Sequence, residues 1–298
     1  MIWINQILQG VLLGGYYALI ACGLSFLFSV MRIINLAHGS LAVMAAYALF
    51  WLADSFGVSP FLGLVVVLPA MAAIGWGLQK TVIERSSRAG LLVPVLSTFG
   101  LSFVVDNLLF QAFGADTRSL APFVGTLSYD SFDINDDISL GSLAVLTFVT
   151  AVAMLGGLQL LLSHTMLGRA IRATAEDPDT VGLVGIDAAR VNAIAMAIAM
   201  VTVGVAGAFL AMRATFAPYS GATQLLFAFE ATVIGGVGSL WGTLIGGIVL
   251  GVAQSLGAQL HPQGFLIAGH AMFLIVLFAR LAATARGGRL SAWLGGIR

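Results

Sequence analysis

The 298-residue chain is 59% hydrophobic and 9% charged, with a mean hydropathy of +1.02, whereas a soluble globular chain is about 25% charged. So few charges cannot keep its surface wet, and 13 acidic against 13 basic residues leave no net field to attract nucleic acid. The single cysteine, Cys22, excludes an internal disulfide framework and suits packing inside an apolar helix.

Continuous apolar stretches run near 7–28, 35–53, 60–83, 91–112, 139–162, 191–212, 222–237, 240–258 and 264–284. Most reach the ~20 residues that cross a ~30 Å hydrocarbon core as helix. They lack the alternation of outer-membrane strands, so the sequence predicts an all-α integral membrane protein forming one transmembrane domain over 1–298. The 36 glycines fit close helix approach in lipid. In the first stretch, Leu19-Ile20-Ala21-Cys22 looks like a lipoprotein processing site. The run nevertheless continues to Val30, and residues 1–6 carry no Lys or Arg, unlike a secretory signal. A mature transmembrane helix is expected.

Alternating sides from stretch to stretch gathers Arg32, Lys80, Arg85, Arg88, Arg169, Arg172, Arg190, Arg280, Arg286, Arg289 and Arg298 on one face. Only Arg118 and Arg213 fall on the other. The positive-inside rule makes the first face cytoplasmic, with the N-terminus outside and the C-terminus inside the bacterial inner membrane. The segment 113–138, with Asp116, Asp130, Asp133, Asp136 and Asp137, is then periplasmic, and 285–298 is a cytoplasmic tail. The stretch 222–237 is short and runs into Gly235, Gly236 and Gly238, as expected of a broken helix. Counting it gives nine crossings, with the seventh short; eight result if another segment fails to span.

The cytoplasmic segment 163–190 carries the signals of structured backbone. Gly168 to Ala175 is rich in helix formers, Asp177-Pro178 reads as an N-cap with proline at N1, and Gly185 suits a stop. Two short helices at the membrane surface are expected, the kind of element on which a cytoplasmic motor could push.

Three blocks then resemble a known family: GGYYALIACGLSFLFSVMRIINLAHG from Gly14, GRAIRATAEDPDTVGLVGID from Gly168, and VIGGVGSLWGTLIGG from Val233. In order and spacing they are similar to the branched-chain amino acid permeases of ABC importers, from about residue 5 to 285, and to the smaller of two related subunits. The resemblance implies a heterodimer with a second permease, two cytoplasmic ATPases that hold ATP and Mg, and a periplasmic binding protein. Transport would proceed by alternating access, with no cofactor in this chain. It assigns Gly168, Arg169, Ala175, Glu176, Asp177, Gly182 and Gly185 to docking on the ATPase. Asn35, Ala37, His38 and Gly39 match a block near the start of the second helix and Gly235, Gly236, Gly238 and Ser239 the glycine block; of these Asn35, His38, Gly39, Gly235, Gly236 and Gly238, with Glu230, are expected along the substrate pathway. Glu230 departs from the family pattern, where a small apolar residue is common, so a related cargo stays open: urea, short amides or aromatic acids beside leucine-type amino acids.

The residues themselves bound the alternatives. The only lysine, Lys80, follows Gln79, so no Gly-Lys-Ser/Thr phosphate loop exists and ATP hydrolysis needs a partner. An ion-coupled secondary transporter would need intramembrane acids, and Asp106 and Glu230 are the candidates. Gly-x-Ser at Ser25 and Ser102, with His270 as a base, has the form of an intramembrane protease, but serines in membrane helices commonly bond their own backbone. The four histidines show no metal-ligand spacing, so no metal site and no catalytic residue is assigned. His38 reads as a helix-packing donor or a pathway residue, Asn35 as a cap, and Asp106-Asn107 as an interhelical contact. Glu230 either ends near the periplasm, satisfied by solvent, Arg213 or Thr232, or lines the pathway.

Overall fold

The computed structural model describes residues 2–90, 92–135, 138–178 and 180–295. Asp136 and Asp137 of the acidic segment and Arg298 of the tail lie outside the described residues. In chain order the helices are α1 (Ile2–Met31), α2 (His38–Phe56), α3 (Pro60–Leu78), which runs through a π turn into α4 (Glu84–Ser87), and α5 (Val93–Phe113). After them come α6 (Ser142–His164), α7 (Met166–Glu176), α8 (Ala188–Arg213), α9 (Gly221–Gly235), α10 (Leu240–Leu260) and α11 (Gly264–Gly295). Eight helices among the described residues are long and apolar enough to cross a membrane. The short α9 supplies a ninth passage, which is the seventh in order, as the sequence predicts.

Local chemistry sets the helix boundaries. Ser59 caps α3 through its hydroxyl, with Pro60 at the first position, and Ser239 caps α10 in the same way. Gly57, at φ 64°, closes α2 in the left-handed conformation. The 113–138 segment is not wholly irregular. It contains a small antiparallel hairpin, β1 (Ser131–Asn135) with β2 (Ile138–Gly141), which pairs Phe132 with Leu140.

The core is built on α1. Gly10 and Gly14 of α1 face Gly247 and Gly251 of α10 so closely that a Cβ at any of them would meet backbone of the other helix. Lipid offers no hydrophobic drive between helices, so such backbone proximity is what holds the pair. Cys22 packs inside this helix, fully buried. α1 and α8 are the inner helices, each with 78% of its most apolar window buried, while α11 has 6% and presents Ile267, Ile275 and Phe278 outward.

Because α6 joins the hairpin to α7, these two features mark opposite ends of the bundle. The Gln9 amide donates to Ser139 O of the hairpin, so α1 begins at the hairpin end. Antiparallel passages then bring Arg32, Lys80, Arg85, Arg88, Arg169, Arg172, Arg190 and Arg280 to the α7 end, and Arg118 and Arg213 to the other.

Candidate functional site

Two elements carry the residues singled out by sequence. One is the short α9 with the start of α2, inside the bundle. The other is the surface segment around α7.

The chain does not enter α2 at the bundle end. After Met31, Arg32 takes a left-handed φ of 53°, and residues 32–37 fold back between helices. Asn35 organises this return: its Oδ1 accepts from Ala37 N at 3.0 Å and its carbonyl from His38 N at 3.2 Å. Thr98 of α5 accepts from Leu36 N. His38 then lies fully buried with Nε2 donating to Ile20 O at 2.7 Å, well before the end of α1. The carbonyl is only an acceptor, which fixes Nε2 as the protonated nitrogen. Asp106 lies on α5 with its Oδ1 unpartnered among the described residues, and the neighbouring Asn107 amide donates to Phe103 O of its own helix.

α9 begins where α2 begins. A Cβ on Gly39 would strike Gly221 O, and one on Gly221 would strike Ser40. Arg213 ends α8, Phe216 pairs with Arg118 in a bridge, and Pro218–Ser220 turns the chain into α9. At the far end of α9, Gly235 lies on Gly242 O, and the turn needs positive φ at Gly236 (103°) and Gly238 (85°). The pathway blocks Gly39 and Gly235 to Gly238 therefore sit at the two ends of one short helix, with Glu230 between them. Asn35 and His38 pack toward α1 and α5 instead.

Glu230 is 1% exposed, and its Oε1 lies 2.6 Å from His270 Nδ1 on α11. Neither partner anticipated for it is used. Thr232 donates to Ala228 O, and the Arg213 guanidinium lies over the Tyr16 ring at 5.0 Å. Oε2 has no partner among the described residues. His270 is the residue that sequence reasoning missed in this role. A histidine in an otherwise apolar run, in a chain with one buried acid to satisfy, was the available signal. Ser102, its hypothetical catalytic partner, donates to Phe99 O of its own helix. Nearby, Tyr16 donates to Gln224 Oε1 at 2.5 Å and Tyr17 to Gln254 Oε1. Arg280 donates to Ile234 O at 2.8 Å, so α11 grips α9 at two levels.

At the α7 end, Thr165 Oγ1 accepts from Gly168 N at 2.9 Å, and Gly168 rests on the carbonyls of Leu161 and Leu162. This tight corner lays α7 across the end of the bundle, with Ile171 and Thr174 inward and Arg169, Arg172 and Glu176 outward. Ala175 is half-buried. Asp177 Oδ1 accepts from Thr180 N, but Asp177 is the C-cap of α7 and Thr180 the N-cap of the next turn, so Asp177 does not start a helix with Pro178 at its first position as the sequence suggests. The expected second surface helix is shorter than the sequence suggests: Val181–Val184 form a single 3-10 turn and not an α-helix. Gly185 closes it at φ 80°, and Asp187 caps α8. Leu183 and Val184 are 87% and 74% exposed beside exposed Gly182.

The match to known proteins covers this whole frame. The family model for the permease component of branched-chain amino acid transport systems matches residues 6–284. The chain belongs to that family. The LivH permease of the high-affinity branched-chain amino acid system of Salmonella typhimurium is 31% identical over 293 residues, covering 92% of each chain. The BraD permease of Pseudomonas aeruginosa is 27% identical, covering 93% of this chain and 94% of its own. LivM of Escherichia coli, a permease of the branched-chain amino acid system, is 24% identical, covering 88% of this chain and 66% of its own. The protein is thus a multi-pass membrane permease of the ABC-transporter type, and no group of His, Cys, Asp and Glu among its described residues is placed to hold a metal.

Proposed function

We propose that the chain is one of two permease subunits of an inner-membrane ABC importer that moves leucine-type amino acids by alternating access. The observation that carries this reading is the exposed apolar tip at Leu183 and Val184, held between capped turns beside Glu176 and Asp177. It is a preformed docking surface for a soluble subunit. With no phosphate loop in this chain, ATP and Mg belong to two ATPases bound there. Glu176, Asp177, Gly182 and Gly185 form or shape the contact, Gly168 and Ala175 seat α7 on the bundle, and Arg169 lies on its outer face.

Push on α7 reaches α9 through the Gly236–Ser239 turn, where Gly238 lies against Phe28 and Ser29 of α1. α9 carries the motion between its contacts at Gly39 and Gly235. On this reading Asn35, His38, Gly39, Glu230, Gly235, Gly236 and Gly238 bound the path, which is closed at Glu230 in the conformation described. The family includes a second, related permease, LivM, which fits a heterodimer. The gathering of basic residues at the α7 end makes that end cytoplasmic, with the hairpin facing a periplasmic binding protein that supplies most of the specificity. The relatives' branched-chain amino acid systems favour that cargo over urea, short amides or aromatic acids.

Reconstitution with co-expressed ATPases, second permease and binding protein tests this directly: leucine uptake should require ATP, the binding protein and an intact tip. The contact of buried Glu230 with the half-exposed His270 favours one rival, a gradient-driven carrier, which would take up leucine without ATPases and would replace the proposal if it did. Impermeant thiol labelling should reach Ser131→Cys and not Ser87→Cys from the periplasm; the reverse result would invert the orientation.

A further inference from the structure

A cavity of about 400 Å³ opens between the α7 segment and the bundle, lined by residues of α1, α6, α7 and the start of α10. Its volume lies in the range of small-molecule sites. Arg172, Gln159 and Trp241 reach its wall, with Leu162 supplying apolar surface and Ser29 the far side. No Asp or Glu is among its lining residues. The Arg172 guanidinium makes no hydrogen bond or ion pair among the described residues, although Glu176 lies one turn along the same helix. Trp241 is 45% exposed, with its ring edge over Gly156 of α6.

These features select a ligand class. A free guanidinium presents a fork of N–H donors that matches phosphate oxygens. The amide of Gln159 adds a donor, and no Asp or Glu among the described residues lines the cavity. The apolar wall asks for a ligand with a hydrocarbon part. An exposed tryptophan at the end of membrane-spanning helices marks the lipid–water boundary, where phosphate groups and acyl chains occur in one molecule. We infer that this cavity binds a phosphate-bearing amphiphile, and that its occupant is the headgroup of an anionic phospholipid, with the phosphate on Arg172 and the upper acyl chain along Leu162. The site needs only a bilayer boundary at the α7 end. It depends neither on the cargo nor on which side of the membrane that end faces.

The consequence is mechanical. A lipid seated between α7 and the first turn of α10 would brace the surface element that receives force against the turn that leads to α9, so the leaflet's composition would tune coupling.

The test measures lipid retained by the full-length protein in nanodiscs containing phosphatidylcholine, with or without phosphatidylglycerol, by native mass spectrometry after detergent exchange. Phosphatidylglycerol should be retained over phosphatidylcholine, and Arg172→Gln should lower its retention about fivefold, the effect of one basic contact with an anionic lipid. Arg190→Gln removes an equal charge at the same end, outside the cavity, and should leave retention unchanged. Gln159→Leu should give a smaller loss and serves if Arg172→Gln is not recovered folded. Equal retention of both lipids, or equal losses in Arg172→Gln and Arg190→Gln, would overturn the site. A second arm titrates inorganic phosphate onto delipidated protein. Binding by phosphate alone that matches lipid binding and disappears in Arg172→Gln would overturn the lipid assignment in favour of a soluble phosphate compound.

Discussion

The junction at α9 and the tip beside α7 both depend on glycine, but for different physical reasons. At the junction, Gly39 and Gly235 are needed for space, because a Cβ on either would strike a carbonyl of another helix, Gly221 O or Gly242 O. At the tip, Gly185 has open space around it and is needed for its φ of 80°. The first constraint is set by a neighbouring helix, the second by the residue's own backbone. Damage at the junction must therefore spread through the bundle, while damage at the tip can stay local.

The largest effect comes from that difference. Gly39→Leu or Gly235→Leu drives a side chain into backbone that cannot step aside, so the loss should exceed the ~1–3 kcal/mol of ordinary overpacking. Little monodisperse protein should survive detergent extraction, as read by fluorescence-detected size exclusion. Gly77→Leu and Gly157→Leu, on helices where an added Cβ meets nothing, should extract like the parent. Equal loss in all four would mean that general helix propensity, and not close approach, explains the glycines.

Next in size is loss of transport without loss of fold. Glu176→Lys combined with Asp177→Lys reverses the charge of the exposed docking face and removes one cap, a cost of about 1 kcal/mol to a local turn. Uptake and ATPase co-purification should be abolished while the thermal midpoint stays close to the parent. Transport at the parental rate would remove the α7 segment from coupling.

The two regions also differ in how far they can be read from sequence. Much of the tip was legible: the Gly185 stop and the helix over Gly168 to Ala175 are local backbone chemistry, whereas Asp177 ends α7 and does not start the next helix. The second surface helix shortened to a 3-10 turn because Gly185 ends it after four residues, Val181–Val184. Span number and end-to-end charge bias were legible too, since hydropathy and basic residues act one segment at a time. The junction was not. That Gly39 meets Gly221, that α2 starts inside the bundle, and that Glu230 is answered by His270 are pairings between distant segments. No periodicity or spacing encodes them, and the expected partners of Glu230, Arg213 and Thr232, were simply those nearest in sequence.

That pairing gives the third test. His270→Ala removes the hydrogen-bond partner of the buried Glu230 carboxyl; because the His270 side chain is 40% exposed and water can take its place, the cost should be about 1–3 kcal/mol, whereas replacing both members by Leu should be close to neutral. Glu230→Gln keeps a hydrogen-bonding side chain and should fall between them in stability. If Glu230 also bounds the path, this variant should slow amino acid uptake more than that of a neutral solute such as urea. A double Leu variant as unstable as His270→Ala would show that the pair is not the source of the cost.

The smallest effect, at the tip, sharpens the comparison most. Gly185→Ala adds a methyl group that meets nothing within 4 Å, so any penalty is backbone strain from the left-handed conformation, about 1–2 kcal/mol for a residue with a Cβ. The turn closes through Gly185 N to Gly182 O at 3.1 Å and Ile186 N to Val181 O at 3.2 Å. Strain there is relieved by opening those two bonds, in a segment exposed from Gly182 to Gly185. The bundle should not notice, and the thermal midpoint should stay with the parent. Leu183 and Val184 would lose their fixed orientation, so affinity for the ATPases should fall by up to about tenfold, the equivalent of ~1.4 kcal/mol. Gly185→Asn should recover much of it, because Asn tolerates the left-handed region. The measurement is ATPase binding to the purified permease pair, with thermal unfolding run alongside. A fall in midpoint like that of Gly39→Leu, or no difference between Ala and Asn, would show that Gly185 is held by packing after all and that the two regions obey one rule.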